Sequence, residues 1–183
     1  MDETRNKLKC LYDELSRCER CELCKLEINK RKLLPRIGRK KYLIVSQNPS
    51  YFHSPEDEYV WGALNNLPLP RLEKFLIERN LLINDFNISN LIKCSFLENK
   101  VPPNVDEIVA KCSHWIVREI SIINPRCILI LGTLAGKYFG LSPGENGTWN
   151  FIKTYCAYHP NFVVRTLSYE QFFKMFEEAL KCS

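Results

Sequence analysis

Short apolar runs and amphipathic stretches alternate along the chain. Four of the apolar runs, each bounded by polar or turn-forming residues, predict buried strands at 41–46, 87–94, 127–132 and 151–160. Apolar positions at helical spacing predict five helices, at 3–17, 70–80, 105–124, 133–140 and 168–181. This alternation is typical of an α/β protein whose parallel sheet carries helices on both sides.

Polar side chains at the carboxyl ends of the predicted strands are the first candidates for function, because ligands of open parallel sheets bind there. Asn48 follows the first strand and is held by the turn at Pro49. Its amide can bond a water or a substrate amide, although a plain Asn-Pro turn has the same sequence. His159 ends the fourth strand before Pro160. It can donate to developing negative charge, or it can be satisfied by backbone groups.

Asn90 lies four residues before Cys94, inside the second predicted strand. An Asn is unfavourable in a strand interior unless its side chain has a task. Its amide offers a donor and an acceptor, which suits the edge of a pyrimidine base. The same groups can also close a gap between neighbouring backbone groups.

The cysteines point to a metal centre within this α/β domain. The chain has nine of them, an odd number. Cys21 and Cys24 form a C-x2-C pair, and Cys94 and Cys112 stand singly far downstream. Four soft thiolates at one point suit an iron–sulfur cluster or a zinc ion. The first ten residues lack the apolar segment of a secretory signal, so we expect a cytoplasmic protein with free thiols.

Positive charge concentrates beside the cysteine pair. The net charge is +5, yet residues 25–41 carry eight Lys or Arg against one acidic residue. Such a segment predicts contact with phosphates, and a solvated loop is the alternative that charge leaves open. The apolar runs are too short to span a bilayer, so no membrane association is expected. We expect a single domain over 1–183, with the N-terminal helix and the segment 1–41 packed on it.

Taken in order, these features resemble the family 4 uracil-DNA glycosylases, the iron–sulfur branch of their superfamily. The similarity extends over roughly residues 18–180. The segments that match the family's motifs are Cys21-x2-Cys24-Lys25-Leu26, Asn90-Leu91-Ile92-Lys93-Cys94, Pro103 to Cys112, Leu131-Gly132-Thr133-Leu134-Ala135, Asn146-Gly147-Thr148-Trp149 and Tyr158-His159-Pro160 through Arg165. Cys18 with Cys21 also fits the start of the first motif, so Cys18 remains a rival of Cys24 as a ligand.

The resemblance implies a three-layer α/β/α sandwich around a central four-stranded parallel sheet. It implies a monomeric enzyme of base excision repair that hydrolyses the N-glycosidic bond of uracil flipped out of DNA. His159 would stabilise negative charge on O2 of the departing uracil, and Asn90 would read the polar edge of the base and reject cytosine. A [4Fe-4S] cluster of structural role would be held by Cys21, Cys24, Cys94 and Cys112.

The matched motifs also imply contacts for the neighbouring residues. Substrate contacts are expected, besides Asn90, from Ser46, Gln47, Pro49 and Val60. DNA contacts are expected from Ser50, Pro160, Asn161 and Arg165. No Lys stands where it would suggest lyase chemistry, so the enzyme would be monofunctional.

The first motif departs from the family pattern Gly-Glu-(Ala/Gly)-Pro-Gly, because it is 46-SQNPS-50 here. Gln47 replaces the acidic residue that helps to position water. Asn48-Pro49 resembles the mismatch-specific and single-strand-selective branches, where that Asn holds the water. Val60 falls where the family's Phe stacks on uracil, and the aromatic residues that could compensate are Phe52, Tyr59 and Trp61.

Three hypotheses follow from these residues. The first is an active glycosylase on uracil or a related deaminated base, which depends on Asn48, Asn90 and His159. The second is an iron–sulfur DNA-binding relative without glycosylase activity, suggested by Gln47 and Val60. The third is a structural protein that binds zinc through the same four thiolates.

Overall fold

The computed structural model describes residues 2–30, 32–52, 57–60 and 71–182. The helices are α1 (Asp2–Ser16), α2 (Leu72–Ile77), α3 (Val105–Ile123), α4 (Thr133–Phe139), α5 (Pro160–Thr166) and α6 (Tyr169–Leu180). The strands are β1 (Tyr42–Ser46), β2 (Asn87–Asn90), β3 (Cys127–Leu131), β4 (Asn146–Trp149) and β5 (Ile152–Ala157). Each predicted strand and helix is present with shifted ends, whereas β4 and α5 were not predicted. None of the described helices is long and apolar enough to cross a membrane.

The strands form one sheet in the order β2-β1-β3-β5-β4. The pairs β1–β2, β1–β3 and β3–β5 are parallel, which confirms the four predicted parallel strands. β4 pairs antiparallel with β5, so the sheet has five strands rather than the expected four. Asn150 and Phe151 join these two strands, and both have positive φ, as in the tight two-residue turns that hairpins favour.

Apolar side chains pack on both faces of the sheet. Successive residues of β3 alternate between two cores, because side chains of a strand point to opposite faces. Ile128 and Ile130 face a core that includes residues of α1 and α3. Cys127 and Leu129 face a second core that includes residues of α2 and α6. The result is the three-layer arrangement that the sequence predicted.

Asn29 anchors the cysteine-bearing segment that follows α1. Its side chain is 2% exposed. The amide nitrogen donates to the carbonyl oxygens of Leu23 and Ser95, both at 2.9 Å. The amide oxygen accepts the backbone N–H of Ser95 at 2.7 Å. One buried side chain therefore joins the segment around Leu23 to the segment that follows β2.

Lys93 and Glu119 form an ion pair inside the protein, with side chains 2% and 0% exposed. The Lys93 ammonium donates to Glu119 Oε2 at 2.6 Å, to Ser89 Oγ at 2.9 Å and to the Asn90 carbonyl oxygen at 2.6 Å. These three bonds use all the protons of the ammonium group.

The Glu119 carboxylate is bonded at both oxygens. The Tyr12 hydroxyl donates to Oε1, and the Ser89 hydroxyl donates to Oε2. Burial, followed by the neighbouring Glu119 carboxylate, raises the pKa of Tyr12 well above its usual range, so this hydroxyl stays a donor. The network joins α1, β2 and α3 through one carboxylate.

Removal of this carboxylate should destabilise the fold strongly. Glu119→Ala leaves the Lys93 ammonium buried without its counter-charge, and we expect the free energy of unfolding to fall by about 3–5 kcal/mol. Urea denaturation followed by circular dichroism measures the loss. Glu107→Ala is the matched control, because it removes an exposed ion pair with Lys111 from the same helix and should leave the midpoint nearly unchanged. Equal losses in both variants would contradict the special importance of the buried pair.

Candidate active site and cysteine cluster

The carboxyl ends of β1 and β2 bring Ser46 and Asn90 side by side. The strand register places these two residues opposite each other, and the Ser46 hydroxyl donates to Asn90 Oδ1. Both side chains are buried, at 4% and 2% exposure. Backbone pairing continues beyond the strands, since the N–H of Ile92 donates to the carbonyl oxygen of Gln47 at 2.9 Å. The amide of Asn90 is thus held in a defined position at the edge of the sheet.

The turn after β1 holds Asn48 through its own backbone. The Asn48 amide nitrogen donates to the carbonyl oxygen of Pro49 at 2.7 Å. Pro49 is buried, Gln47 and Asn48 are half-buried, and Ser50 is exposed. The Ser50 hydroxyl accepts the backbone N–H of Phe52 at 3.2 Å. Because the Asn48 bond uses the amide nitrogen, the amide oxygen is the group available to accept a proton donor such as water.

His159 is the N-cap of α5, directly after β5. Its Nδ1 accepts the backbone N–H of Asn161 at 3.2 Å. Burial, and then the charge of Arg165, lowers the pKa of His159. The ring is therefore neutral near pH 7, and with Nδ1 acting as an acceptor its proton is on Nε2. This proton on Nε2 is compatible with the donor role that the sequence suggested for His159, which stays a prediction.

Gly132 sets how closely β3 approaches His159. The Gly132 backbone has φ of +91°, and a Cβ built on it would lie 3.0 Å from His159 Cβ. The N–H of Gly132 donates to the carbonyl oxygen of Ala157 at 2.8 Å, which continues the β3–β5 pairing. Only a glycine combines this backbone conformation with so close an approach. Gly132 is a positioning element that the sequence analysis left without a role.

The α5 helix presents the expected DNA-contacting residues at the same edge of the sheet. Pro160 is buried at the first helical position, and Asn161 and Arg165 are exposed. The Arg165 Nε donates to the carbonyl oxygen of Asn161 at 3.1 Å. Arg165 is thereby joined to Asn161, about one helical turn before it.

Val60 is a buried apolar residue. Its side chain is 2% exposed and packs in the core that includes residues of α2 and α6. The described structure therefore does not offer Val60 as a surface for a base. Tyr59 and Phe52 are 40% and 74% exposed, whereas Trp61 is outside the described residues.

The basic segment 25–41 is partly engaged within the protein. Arg39 pairs with Asp85 at 3.0 Å, and the Arg36 guanidinium donates to Asn84 at 3.3 Å. The four cations that line one groove between α1 and this segment are Arg5, Lys9, Arg36 and Arg39. The segment is thus neither a free tail nor a fully solvated loop.

Five cysteines surround one small cavity between the end of α1, the segment after β2 and α3. They are the four predicted ligands and the rival residue: Cys21, Cys24, Cys94, Cys112 and Cys18. Cys24 Sγ lies 3.9 Å from Cys18 Sγ and 4.0 Å from Cys94 Sγ. Cys94 and Cys112 are buried, and Cys18, Cys21 and Cys24 are half-buried.

This donor set fits a soft metal centre. Thiolates without carboxylate or imidazole neighbours are the ligands of iron–sulfur clusters and of structural zinc. Across the described residues, no three His, Cys, Asp or Glu side chains already have the geometry of a bound ion.

Two residues of these sites, Asn29 and Lys93, were not predicted to have a role. Asn29 positions the cysteine segment, and Lys93 bonds the Asn90 carbonyl oxygen while its own N–H contacts Cys112 Sγ at 3.4 Å. The only signal for Lys93 was a charged residue next to a cysteine in an otherwise apolar stretch. Asn29 gave no signal, because it lies among charged residues that read as exposed.

Comparisons with known sequences identify relatives of this chain. A sequence model of the uracil DNA glycosylase superfamily matches residues 35–181. A type-4 uracil-DNA glycosylase of Saccharolobus solfataricus is 30% identical over 195 residues, which covers 94% of this chain and 86% of that protein.

Two further relatives carry the same name. The protein of Sulfurisphaera tokodaii is 30% identical, over 76% of this chain and 60% of that protein. The protein of Thermotoga maritima is 25% identical, over 91% of this chain and 88% of its own length.

Substitution of Gly132 should disturb His159 as well as the backbone. Gly132→Ala places a side chain at φ of +91° and ψ of 164°, a backbone conformation that is essentially confined to glycine and costs about 1–3 kcal/mol, and it also pushes against His159 Cβ. Gly144→Ala is the matched control, since Gly144 has φ of +98° with open space around it. We expect Gly132→Ala to lose more stability than Gly144→Ala, and the NMR signals of the His159 ring to be shifted only by Gly132→Ala. Equal shifts in both variants would contradict the contact.

Proposed function

The chain belongs to the uracil DNA glycosylase superfamily, and we propose that it excises uracil from DNA as a monofunctional enzyme of base excision repair. One observation carries this proposal. A neutral His159, whose Nε2 retains its proton, shares one edge of the sheet with the buried amide of Asn90. A donor for a departing anion and a reader of a base edge are the two groups that this chemistry needs.

Asn90 would recognise the flipped base. Its Oδ1 would accept N3–H of uracil, and its Nδ2 would donate to O4. Cytosine presents an acceptor at N3 and a donor at its amino group. The Asn90 Oδ1 would then face another acceptor, and Nδ2 would face another donor. A buried site that leaves polar groups mispaired discriminates strongly between two such bases.

His159 would stabilise the base as it leaves. The oxygen of a water bonds to C1′ of the sugar while the C1′–N1 bond breaks, and the electrons of that bond leave with uracil. The Nε2–H of His159 would donate to O2 of the resulting anion. The attacking water loses a proton to solvent, the uracil anion takes one up from solvent, and the products are free uracil and an abasic site.

Asn48 would hold the attacking water. Its amide plane is set by the bond to the Pro49 carbonyl oxygen, and its own oxygen can accept from the water. Gln47, which stands where relatives of this family have an acid, is an amide as well and cannot take up a proton near neutral pH. Water would thus be oriented rather than deprotonated before it attacks.

DNA contacts would come from two groups of cations. Arg165 of α5 lies next to the catalytic edge, while the groove beside α1 is lined by Arg5, Lys9, Arg36 and Arg39. Extrusion of a base from a duplex costs a few kcal/mol, and phosphate contacts supply part of the binding free energy that offsets this cost.

The four thiols of Cys21, Cys24, Cys94 and Cys112 would hold a [4Fe-4S] cluster. Their donor chemistry fits such a cluster, and the relatives' type-4 name supports it over zinc. The cluster would supply a covalent cross-link between the segment after α1, the segment after β2 and α3. A purified protein that absorbs light at about 400 nm would support the cluster over zinc.

A DNA-binding relative without glycosylase activity is the second candidate function. Two observations favour it, since Gln47 lacks a carboxylate and Val60 is buried in the core rather than presented to a base. Such a protein would retain Arg165 of α5 and the cations of the groove beside α1. Binding without product formation would be its experimental signature.

Replacement of His159 should abolish most of the activity. With His159→Ala, we expect kcat to fall by about 10²–10³, because one donor to the leaving anion is lost. The assay counts alkali-labile abasic sites in oligonucleotides that bear one uracil. Binding of uracil-free DNA should be unchanged, which serves as the folding control. An equally active variant would overturn the assigned role.

The pH profile of the wild type tests the same residue. Because burial lowers the pKa of His159, the neutral ring and its Asn161 bond should persist as pH falls to about 6.5, the ordinary histidine value. Activity should decline only at lower pH, where Nδ1 becomes protonated and cannot accept that bond.

Replacement of Asn48 should separate the two candidates for the water contact. We expect Asn48→Ala to reduce kcat by about 10² or more, and Gln47→Ala to reduce it far less, since oriented water attacks at a much lower barrier. Asn6→Ala on the exposed surface of α1 is a neutral control. The reverse order of effects would assign the water to Gln47 instead.

A further inference from the structure

The cysteine segment contains one thiol more than four ligands require. Cys18, Cys21 and Cys24 follow one another at intervals of three residues, so two overlapping C-x2-C pairs are present. All three line the cavity that Cys94 and Cys112 close from the other side. The remaining cysteines of the chain, which are Cys10, Cys127, Cys156 and Cys182, are not among the residues that line this cavity.

Cys18 lies on a short turn that ends α1. Its backbone N–H donates to the carbonyl oxygen of Leu15 at 2.9 Å, which closes the helix. Cys24 lies beyond Cys21 in a single turn of 3-10 helix, where its N–H donates to the Cys21 carbonyl oxygen at 3.2 Å. Cys18 and Cys24 therefore flank Cys21 in the sequence and line the same cavity.

The thiols of Cys18 and Cys24 occupy neighbouring positions at the cavity. Their sulfur atoms are 3.9 Å apart, and Cys24 Sγ lies 4.0 Å from Cys94 Sγ. A metal atom bound to Cys24 would thus lie within one side-chain movement of Cys18. Both thiols are half-buried on short turns, whereas Cys94 and Cys112 are buried.

We propose that Cys18 is a reserve ligand, which replaces Cys24 on the metal centre when Cys24 dissociates from it or is absent. This inference rests on the proposed [4Fe-4S] cluster. The exchange would break one Fe–S bond to Cys24, whose sulfur takes up a proton, and would form one to Cys18, whose thiol loses a proton. The cluster would thereby survive damage at its half-buried side.

Cys24 is the ligand whose sulfur is in contact with that of Cys18 among the described residues, so the reserve role is assigned to Cys24. Cys112 is on the buried face of α3, where its sulfur accepts the backbone N–H of Lys93 at 3.4 Å. Cys94 is 3% exposed in the segment that follows β2. Neither has a second thiol at the corresponding spacing in the sequence, so their loss should not be compensated.

Anaerobic purification of matched alanine variants tests the proposal. Iron and acid-labile sulfide per chain would be measured, together with absorbance near about 400 nm, for the wild type and for Cys18→Ala, Cys24→Ala, Cys112→Ala and the double Cys18→Ala/Cys24→Ala variant. Cys10→Ala is the control, because Cys10 is exposed on α1 away from the cavity. Circular dichroism checks that each variant is folded.

We expect both single variants, Cys18→Ala and Cys24→Ala, to keep about four iron atoms per chain, as the wild type does. The double variant and Cys112→Ala should lose iron to a similar extent. In air with a ferrous chelator, Cys18→Ala should release iron several-fold faster than the wild type, since the reserve thiol is missing.

Different results would overturn the proposed cluster and the proposed reserve ligand. Wild-type protein without iron and sulfide would overturn the proposed cluster itself. If the wild type contains iron and sulfide but Cys24→Ala loses as much iron as Cys112→Ala, the cluster stands and the reserve ligand alone is overturned. Depletion in Cys18→Ala but not in Cys24→Ala would also overturn it, because Cys18 would then be an ordinary ligand.

Discussion

Two opposite charges lie side by side in the apolar interior, and the candidate site is arranged around them. Transfer of the Lys93 and Glu119 charges from water to the interior costs free energy, so the pair is a weak source of stability. Its main contribution is to fix the positions of the residues bonded to it. Lys93 bonds the carbonyl oxygen of Asn90 and precedes Cys94, while Glu119 bonds Tyr12. The same interaction therefore positions the backbone of Asn90, the residue proposed to read the base, together with one proposed metal ligand and the first helix.

The sheet could be predicted from the sequence because its signals are local. Buried parallel strands appear as continuous apolar runs, and their carboxyl ends necessarily meet at one edge. That logic was enough to select Asn48, Asn90 and His159 as candidates. β4 escaped for an equally local reason. Its Asn146-Gly147 dipeptide suggests a turn but lies within the strand, whereas the actual turn contains Phe151, a residue that seldom adopts positive φ.

The side-chain networks could not be predicted, because their partners are distant in sequence. Tyr12 and Glu119 are 107 positions apart, and Asn29 and Ser95 are 66 positions apart. A polar residue in such a network has the same sequence neighbourhood as an exposed one. Burial of such a residue depends on how the helices pack on the sheet, here on the packing of α1 and α3, and a local stretch of sequence does not contain this information.

The altered first motif can be judged by what Ser46 does. Where the family has a glycine, this chain has a buried hydroxyl that donates to Asn90 Oδ1. A carbonyl oxygen has two lone pairs, so Oδ1 can still accept from a base after this bond is made. Nδ2 of Asn90 remains a donor. The substitution therefore orients the amide without using up its capacity to read uracil, and on this ground the departure at Ser46 is compatible with catalysis.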